Sequence, residues 1–296
     1  MDAVLLLGGV LLLLVLCADV FATTTGSGST RSAGPVTARV AKWLWRGALV
    51  LHRRRPSHRG LHYFGFGLTV GTVATWIVAM WAAWTLVFAS AHDSVVGATT
   101  GEPTDLAAKA YFAGYAVLTL GNGEYVPSST AWQIATLGAA ATGLALVTLA
   151  VTYILNVVQA SSRRRALATT IWTLGDDADA MVHRAGADPR HVNDQLWSLV
   201  ELFADVREQH VSFPVLHYLH STDRHRALPA QAAELAVALE RLRASGSTAT
   251  TPLSPSIVES LARVVDEYIQ AVAPYEPEGD DDRSTQRLEA GAGWTV

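Results

Sequence analysis

Three long apolar stretches constrain the fold of this chain more than any other feature. The stretch 3–20 is interrupted only by Asp19, and the stretches 64–91 and 131–158 carry no charged side chain. About 20 helical residues cross the hydrocarbon core of a bilayer, and an α-helix satisfies its backbone hydrogen bonds internally. The sequence therefore predicts an all-α membrane protein with three transmembrane helices.

The first stretch has two interpretations, a retained helix or a cleaved signal peptide. No Lys or Arg precedes it, and no small-residue cleavage site stands out. We therefore expect a retained transmembrane helix over residues 1–21. Cys17, within this stretch, is the single cysteine of the chain, so no intrachain disulfide is expected.

The charges outside these stretches predict an orientation in the plasma membrane. Residues 22–62 hold eight Lys and Arg and no acidic residue, whereas residues 90–118 hold three acidic residues and one Lys. Cytoplasmic loops carry an excess of Lys and Arg. We expect the amino terminus outside, the 22–62 segment inside, the segment after the second span outside, and the carboxy-terminal half in the cytoplasm.

The 22–62 segment contains a predicted basic amphipathic helix. Gly26 to Gly34 has the composition of a flexible linker, and Pro35 is a typical helix start. The basic residues that recur at helical spacing are Arg39, Lys42, Arg46 and Arg53. Such a helix is expected on the inner membrane surface, with its cations towards anionic lipid headgroups. A solvated helix is the alternative, and the tight position between two spans argues against nucleic-acid binding.

The residues from 161 onward have the pattern of a helical cytoplasmic domain, over 161–273. Apolar residues recur at three-to-four spacing over 166–184, 188–210, 229–244 and 254–272, with Asp188-Pro189 and Ser254-Pro255 as cap-plus-proline starts. This half holds 13 Lys and Arg against 20 Asp and Glu, and residues 274–296 are expected to be a disordered acidic tail. It has no phosphate-binding loop, nucleophile elbow, HExxH or kinase motif, so we expect neither an enzyme nor a bound cofactor. No sequence feature identifies its ligand or partner.

The interval between the second and third spans predicts a helix too short to cross the membrane. Residues 105–118 cover about 20 Å as a helix, enough to enter a bilayer but not to cross it. Non-helical backbone at membrane depth must be covered by protein or line a water-filled path. We therefore expect a re-entrant helix followed by an irregular segment, 119–123, within a pore domain of residues 63–160.

Residues 119–127 read TLGNGEYVP and resemble the selectivity filter of potassium channels, T-V-G-Y-G-D-x-x-P. The residues that match in register are Thr119, Gly121, Gly123 and Pro127, and Glu124 keeps the acidic character. The resemblance implies a homotetramer, because one chain supplies one of four filter strands. It also implies that K⁺ passes along backbone carbonyls that replace its water shell. The implied ion-binding residues are Thr119, Leu120, Gly121, Asn122 and Gly123, with Glu124 and Pro127 at the exit.

Two further positions bear on this resemblance. Inner helices of the family often carry a hinge glycine, and Gly143 lies midway along the third span, where ordinary helix packing is the alternative. Asn122 replaces the tyrosine of the family's filter, which leaves the selectivity open. We expect a potassium-preferring channel, with a non-selective Na⁺ and K⁺ channel as the first alternative. A non-conducting membrane scaffold or signalling protein that retains the pore fold is the second.

Histidines cluster in the carboxy-terminal half. His217 and His220 lie one helical turn apart, and His210, Asp223 and His225 lie nearby in the sequence. Neutral imidazoles and a carboxylate can bind zinc or sense pH. Because no second dense cluster of ligands accompanies them, ordinary packing or solvation is the favoured interpretation of the His217 and His220 pair.

Overall fold

The computed structural model of the protein describes residues 1–25, 58–219, 221, 223–245 and 253–272. The predicted membrane-surface residues Arg39, Lys42, Arg46 and Arg53 lie outside these ranges. His220 and the predicted tail 274–296 also lie outside them. The interpretations of these residues therefore stay predictions.

Helices account for most of the described residues. Three of them are long and apolar enough to cross a membrane: α1 (Ala3–Thr25), α2 (His58–Ala89) and α4 (Thr130–Trp172). Between α2 and α4 lie a strand β1 (Val95–Gly97), a helix α3 (Leu106–Val117) and a strand β2 (Tyr125–Pro127). After α4 come α5 (Ala178–Ala187), α6 (Pro189–Ser212), α7 (Leu228–Ser245) and α8 (Pro255–Val272), with 3₁₀ turns at Pro214–Tyr218 and Arg224–Arg226.

The chain divides into two compact units. The first consists of Met1–Thr25 and Thr69–Leu155, and the second consists of Gly26–Leu68 and Asn156–Val296. The first unit therefore contains α1, α3, both strands and most of α2 and α4. The second contains the helices α5 to α8.

Within the first unit, α1 contacts α2 at two points, and α2 contacts α4 at the second of them. A Cβ at Gly9 would lie 2.8 Å from the Ala83 carbonyl oxygen, so only glycine allows this approach. Near the end of α1, the Asp19 carboxylate accepts a hydrogen bond of 3.1 Å from Trp76 Nε1. The rings of Trp76 and Tyr153 lie 5.4 Å apart. The one charged residue of α1 therefore has a polar partner, as an acidic side chain in an apolar span requires.

The first-unit part of α4 packs along one face. Its buried residues are Ala139, Gly143, Leu146, Ala150 and Tyr153, which recur every three or four positions. Leu137 and Leu144 are largely exposed, with 70% and 62% of their surface accessible. One side of α4 is therefore packed within the chain, and the other side is available to lipid or to further copies.

The inner helix is longer than the sequence indicates. Hydropathy predicts an end at residue 158, but α4 runs for 43 residues to Trp172, because no Gly or Pro interrupts residues 159–172. Its length is about 65 Å, roughly twice the hydrocarbon thickness of a bilayer.

The separate helix expected over 166–184 is wrong. Its first part continues α4, and the chain turns between Trp172 and Ala178. A Cβ at Gly175 would lie 2.6 Å from the Met181 nitrogen, and Asp177 starts α5 by accepting a hydrogen bond of 2.8 Å from Ala180 N.

The second unit is built around an apolar core between its helices. α6 packs along α8, and α5 packs on α7. The largest side chains of this core include Phe203, Tyr268, Leu196 and Leu199, all at most 2% exposed. The predicted cap-plus-proline starts are confirmed, because α6 begins at Pro189 and α8 begins at Pro255.

Candidate functional site

The helix α3 begins and ends close to the bounds that the sequence predicts. Asp105 accepts a hydrogen bond of 2.8 Å from Ala108 N and so caps the first turn. At the other end, Leu118 N donates to the Gly114 carbonyl at 3.0 Å. The chain then leaves the helix without a Gly or Pro, and residues 119–123 follow directly.

Every second residue of the 119–123 segment has a left-handed backbone conformation. Thr119, Gly121 and Gly123 have φ angles of 56°, 64° and 74°, and the residues between them do not have positive φ. In an ordinary strand successive carbonyls point in opposite directions, whereas a left-handed residue at every second position turns them towards the same side. Positive φ at alternate positions is therefore compatible with a carbonyl-lined segment.

Thr119 is unusual within this segment because it is not glycine. Among the described residues it is the one non-glycine with positive φ. For a β-branched residue this conformation costs of order 1–3 kcal/mol, and such strain is concentrated at functional sites. Its amide donates to the Ala116 carbonyl at 3.1 Å, and Leu120 N donates to the Tyr115 carbonyl at 2.8 Å. These two hydrogen bonds hold the start of the segment against the end of α3.

Asn122 is tied to α3 through its side chain. The Asn122 Nδ2 donates a hydrogen bond to the Tyr111 hydroxyl. The Tyr111 ring lies 5.5 Å from the ring of Tyr115 and 6.1 Å from that of Tyr125, both near edge-to-face. Sequence reasoning missed Tyr111, although its position one helical turn before Tyr115 on the predicted helix was a usable signal. In the predicted register of the potassium-channel motif, an amide with a tyrosine partner therefore stands where the motif has a tyrosine.

Tyr115 joins α3 to the strand that follows the segment. Its hydroxyl donates to the Tyr125 carbonyl at 2.5 Å. Behind it, the Phe112 ring lies 5.1 Å from Tyr115 and 5.0 Å from Phe88 of α2. A continuous set of aromatic contacts thus connects α2, α3 and β2 and fixes the distance between them.

Polar groups fix α3 against α2 as well. Lys109 is 5% exposed, and its Nζ donates to the Ala91 and His92 carbonyls at 2.6 and 2.9 Å, just beyond the end of α2. Trp81 Nε1 donates to the Ala110 carbonyl at 2.8 Å. These charge-assisted and neutral hydrogen bonds hold the helix at both its early and middle turns.

The predicted exit residues lie at a small sheet that the sequence does not predict: Glu124 directly precedes β2, and Pro127 ends it. β1 and β2 are antiparallel, with Val95 opposite Pro127, and Ala98 N donates to the Glu124 carbonyl at 2.9 Å. The Glu124 side chain is exposed. The segment 119–123 is therefore anchored at both ends, by α3 on one side and by this sheet on the other.

Gly143 contacts the end of α3. A Cβ at this position would overlap the Val117 carbonyl oxygen, so the two backbones touch. α4 is continuous through Gly143. Its observed role is this close contact, and its role as a gating hinge stays a prediction.

The histidines of the second unit form no metal centre among the described residues, where no group of three or more His, Cys, Asp or Glu is placed to hold an ion. His217 lies 6.2 Å, ring to ring, from the buried His210. His220 lies outside the described ranges, so the metal interpretation of His217 and His220 stays a prediction. Burial, followed by the nearby Arg164 guanidinium and His217, lowers the pKa of His210 well below its usual value.

Comparison with known proteins matches residues 64–160 to the family described as ion channel. This part of the chain is therefore similar to the ion channel family. The matched residues of the ion channel domain include α3, the 119–123 segment, both strands and the apolar part of α4.

The chain is also similar to the uncharacterized membrane protein YdjJ of Bacillus subtilis (strain 168), with 31% identity over 224 residues. This similarity covers 75% of the chain and 64% of that relative's length, and it is more than twice as long as the ion channel domain. No solved structure matches the chain. With its three apolar helices, the chain is a membrane protein that carries an ion channel domain.

Proposed function

We propose that the chain is one subunit of a homotetrameric, potassium-preferring cation channel of the plasma membrane. The observation that carries this proposal is the alternation of left-handed backbone at Thr119, Gly121 and Gly123. Carbonyls that face one side on each of four chains would form the rings that replace the water shell of K⁺. The residues proposed to line this path are Thr119, Leu120, Gly121, Asn122 and Gly123, with Glu124 and Pro127 at its outer end.

The exposure of this segment supports a tetramer. All five residues of 119–123 are exposed in the single chain, and Leu120 has 65% of its surface accessible. Non-helical backbone within a membrane needs protein or a water-filled path around it. Three further copies around a common axis would supply both. The end of α3, which carries the negative end of the helix dipole, would then face the ion path and favour a cation.

The side-chain contacts of the segment support selectivity for K⁺ over Na⁺. A cage that cannot shrink disfavours the smaller ion, and the hydrogen bond from Asn122 to Tyr111 resists movement of the backbone at this point. The hydroxyl of Tyr115 on the Tyr125 carbonyl restrains the residues that follow. In this proposal Asn122 and Tyr111 together replace the single tyrosine of familiar filters.

The orientation follows from the charges of the sequence. The basic segment 22–62 would lie in the cytoplasm, with Arg39, Lys42, Arg46 and Arg53 on anionic headgroups, and the amino terminus would be outside. The helical domain of residues 161–273 would be cytoplasmic. The proposed activity is passive conduction of ions and not catalysis.

The test is a reversal potential with a matched pair of glycine variants. The full-length protein is reconstituted in liposomes or planar bilayers, with K⁺ on one side and Na⁺ on the other. The wild type is expected to reverse close to the K⁺ equilibrium potential. Gly121→Ala and Gly101→Ala place the same side chain at φ angles of 64° and 68°, with open space around both. Only the first lies in the proposed filter, so we expect at least a tenfold loss of flux for Gly121→Ala and little change for Gly101→Ala.

The other outcomes separate the alternatives. A wild type that conducts but reverses near zero is a non-selective Na⁺ and K⁺ channel. A wild type with no flux above that of protein-free liposomes is a membrane scaffold that keeps the pore fold. Flux that Gly121→Ala and Gly101→Ala leave equally unchanged does not pass through the 119–123 segment and contradicts the proposed filter.

A further inference from the structure

A basic cavity lies in the second unit, apart from the 119–123 segment. It opens to solvent, and its water-accessible volume is about 40 Å³. The polar residues that line it are Ser161, Arg164, Arg165, His217, Ser221 and Arg226. They come from α4, from the two 3₁₀ turns that precede α7 and, for Ser221, from the chain between those turns, so residues distant in sequence converge on one space.

The arginines of this cavity differ from their neighbours in the sequence. Arg163 forms an ion pair with Asp205 at 2.9 Å, and Arg224 forms one with Glu234 at 3.5 Å. The three arginines that line the cavity form no ion pair with any carboxylate in the described part of the chain, and no acidic residue lines it. Three cations that share a space without an anion repel one another.

Arg164 carries the strongest sign of a missing partner. It is 8% exposed, and one of its terminal nitrogens donates to the Leu216 carbonyl. Its Nε has no hydrogen-bond partner among the described residues. A buried cation with an unused donor is destabilising unless an acceptor or an anion is supplied.

Arg165 forms two hydrogen bonds to serine hydroxyls, and an anion can take the place of these acceptors. Its two terminal nitrogens donate to the hydroxyls of Ser161 and Ser162 at 3.0 and 3.1 Å. Hydroxyls are neutral acceptors, and a guanidinium binds a charged oxygen about twice as strongly. The planar donor fork of arginine also fits the oxygens of a phosphate, which can accept two parallel hydrogen bonds.

We propose that this cavity binds a phosphate-bearing anion, through Arg164, Arg165 and Arg226. The serine hydroxyls of Ser161 and Ser221 supply neutral donors. A phosphate monoester has close to two negative charges at neutral pH and so balances three guanidinium groups better than a carboxylate does. Residues 161–165 follow the apolar stretch 131–158 in the chain, so a lipid headgroup and a soluble phosphate are both sources of this chemistry.

Calorimetric titration of inorganic phosphate into the full-length protein in phosphatidylcholine nanodiscs tests the proposal. We expect saturable binding of one phosphate per chain. The double variant Arg165→Gln/Arg226→Gln should raise the apparent Kd for phosphate at least tenfold. The matched control Arg163→Gln/Arg224→Gln removes the same charge from ion-paired positions and should change it less than twofold. Arg165→Lys/Arg226→Lys keeps the charge and should recover part of the affinity, which distinguishes lost binding from lost folding.

A second titration identifies the source. Nanodiscs that contain phosphatidic acid should raise the apparent Kd for inorganic phosphate at least tenfold in the wild type if the lipid headgroup occupies the cavity. An unchanged Kd identifies a soluble phosphate. No saturable binding of phosphate in neutral nanodiscs, or equal weakening by the two glutamine double variants, would overturn the proposal.

Discussion

The 119–123 segment and the core of the second unit are held by different kinds of interaction. Around the segment, directional hydrogen bonds hold the backbone. Asn122 donates to Tyr111, and Tyr115 donates to the Tyr125 carbonyl. Lys109 donates to two carbonyls just beyond α2. In the second unit, the helices pack through apolar side chains that have no required direction. The first arrangement fixes backbone positions closely, and the second mainly supplies stability.

Ion pairs do not change this contrast. In the pair of Arg163 with Asp205, 58% and 45% of the side-chain surfaces are accessible, and other described ion pairs of the second unit are similarly exposed. Each such pair contributes about 0–1 kcal/mol, less than the roughly 1.5–3 kcal/mol of one buried Leu or Phe. The stability of the second unit therefore comes from its core.

The largest effect is expected at the contact between α4 and the end of α3. Gly143→Ala places a methyl group on the Val117 carbonyl oxygen, and α3 must shift, which displaces the segment anchored to it. We expect loss of most of the ion flux from proteoliposomes. Gly71→Ala, in α2 with open space around it, is the control and should conduct normally. Normal flux from Gly143→Ala would mean that the segment does not depend on this contact.

The second effect concerns the apolar core. Leu199 is fully buried on α6, whereas Leu202 on the same helix is 39% exposed. Leu199→Ala should lower the free energy of unfolding by about 2–5 kcal/mol because it leaves a cavity. Leu202→Ala removes the same atoms and should cost less than about 1.5 kcal/mol, since little surface is uncovered. Chemical denaturation followed by circular dichroism measures both, and equal losses would contradict a well-packed core.

The third effect depends on pH. Burial beside Arg164, His217 and the ring of Tyr268 lowers the pKa of His210, so the unfolded chain takes up a proton more readily than the folded one. The stability from neutral His210 is complete above about pH 6.5 and falls as the pH drops, by up to about 1.4 kcal/mol per pH unit. His210→Gln should flatten this slope in denaturation curves. His225→Gln, at an exposed position, should keep it, and an equal slope in all three proteins would exclude His210 as the cause.

The smallest effect tests the directional contacts. Tyr111→Phe keeps the ring and removes the hydroxyl that accepts from Asn122. One hydrogen bond is worth about 0.5–1.5 kcal/mol, so the preference for K⁺ over Na⁺ should fall by roughly twofold to tenfold. Asn122→Ala should reduce the same ratio, and the double variant should be no worse than either single one. Additive losses would show that the two residues act independently.

The sequence predicted the main elements of the first unit because each has a strong local signal. Uncharged apolar stretches indicated α1, α2 and α4, and Asp105 marked the start of α3. The positive φ angles of Gly121 and Gly123 also follow from the motif, since glycine tolerates them. The pairing of Tyr111 with Asn122 depends on the phase of α3 relative to the chain that follows it, which no local pattern encodes.

Other features escaped prediction for similar reasons. The strands of the β1 and β2 pair have three residues each, too few to display a period. The apolar pattern continues on both sides of the turn between α4 and α5. Periodicity alone therefore predicted one helix over 166–184 instead of two helices joined by a turn. The basic cavity is built from α4 and a segment some fifty residues later in the chain, and only the fold brings them together.

The conformation of Thr119 separates what is good for the fold from what is good for the proposed ion path. At φ 56° glycine would relieve the strain, so the most stable residue at this position is not the one present. A library selected only for thermal stability should therefore exchange Thr119 for Gly, and one selected for conduction should return a hydroxyl. The two selections should therefore yield different residues at position 119.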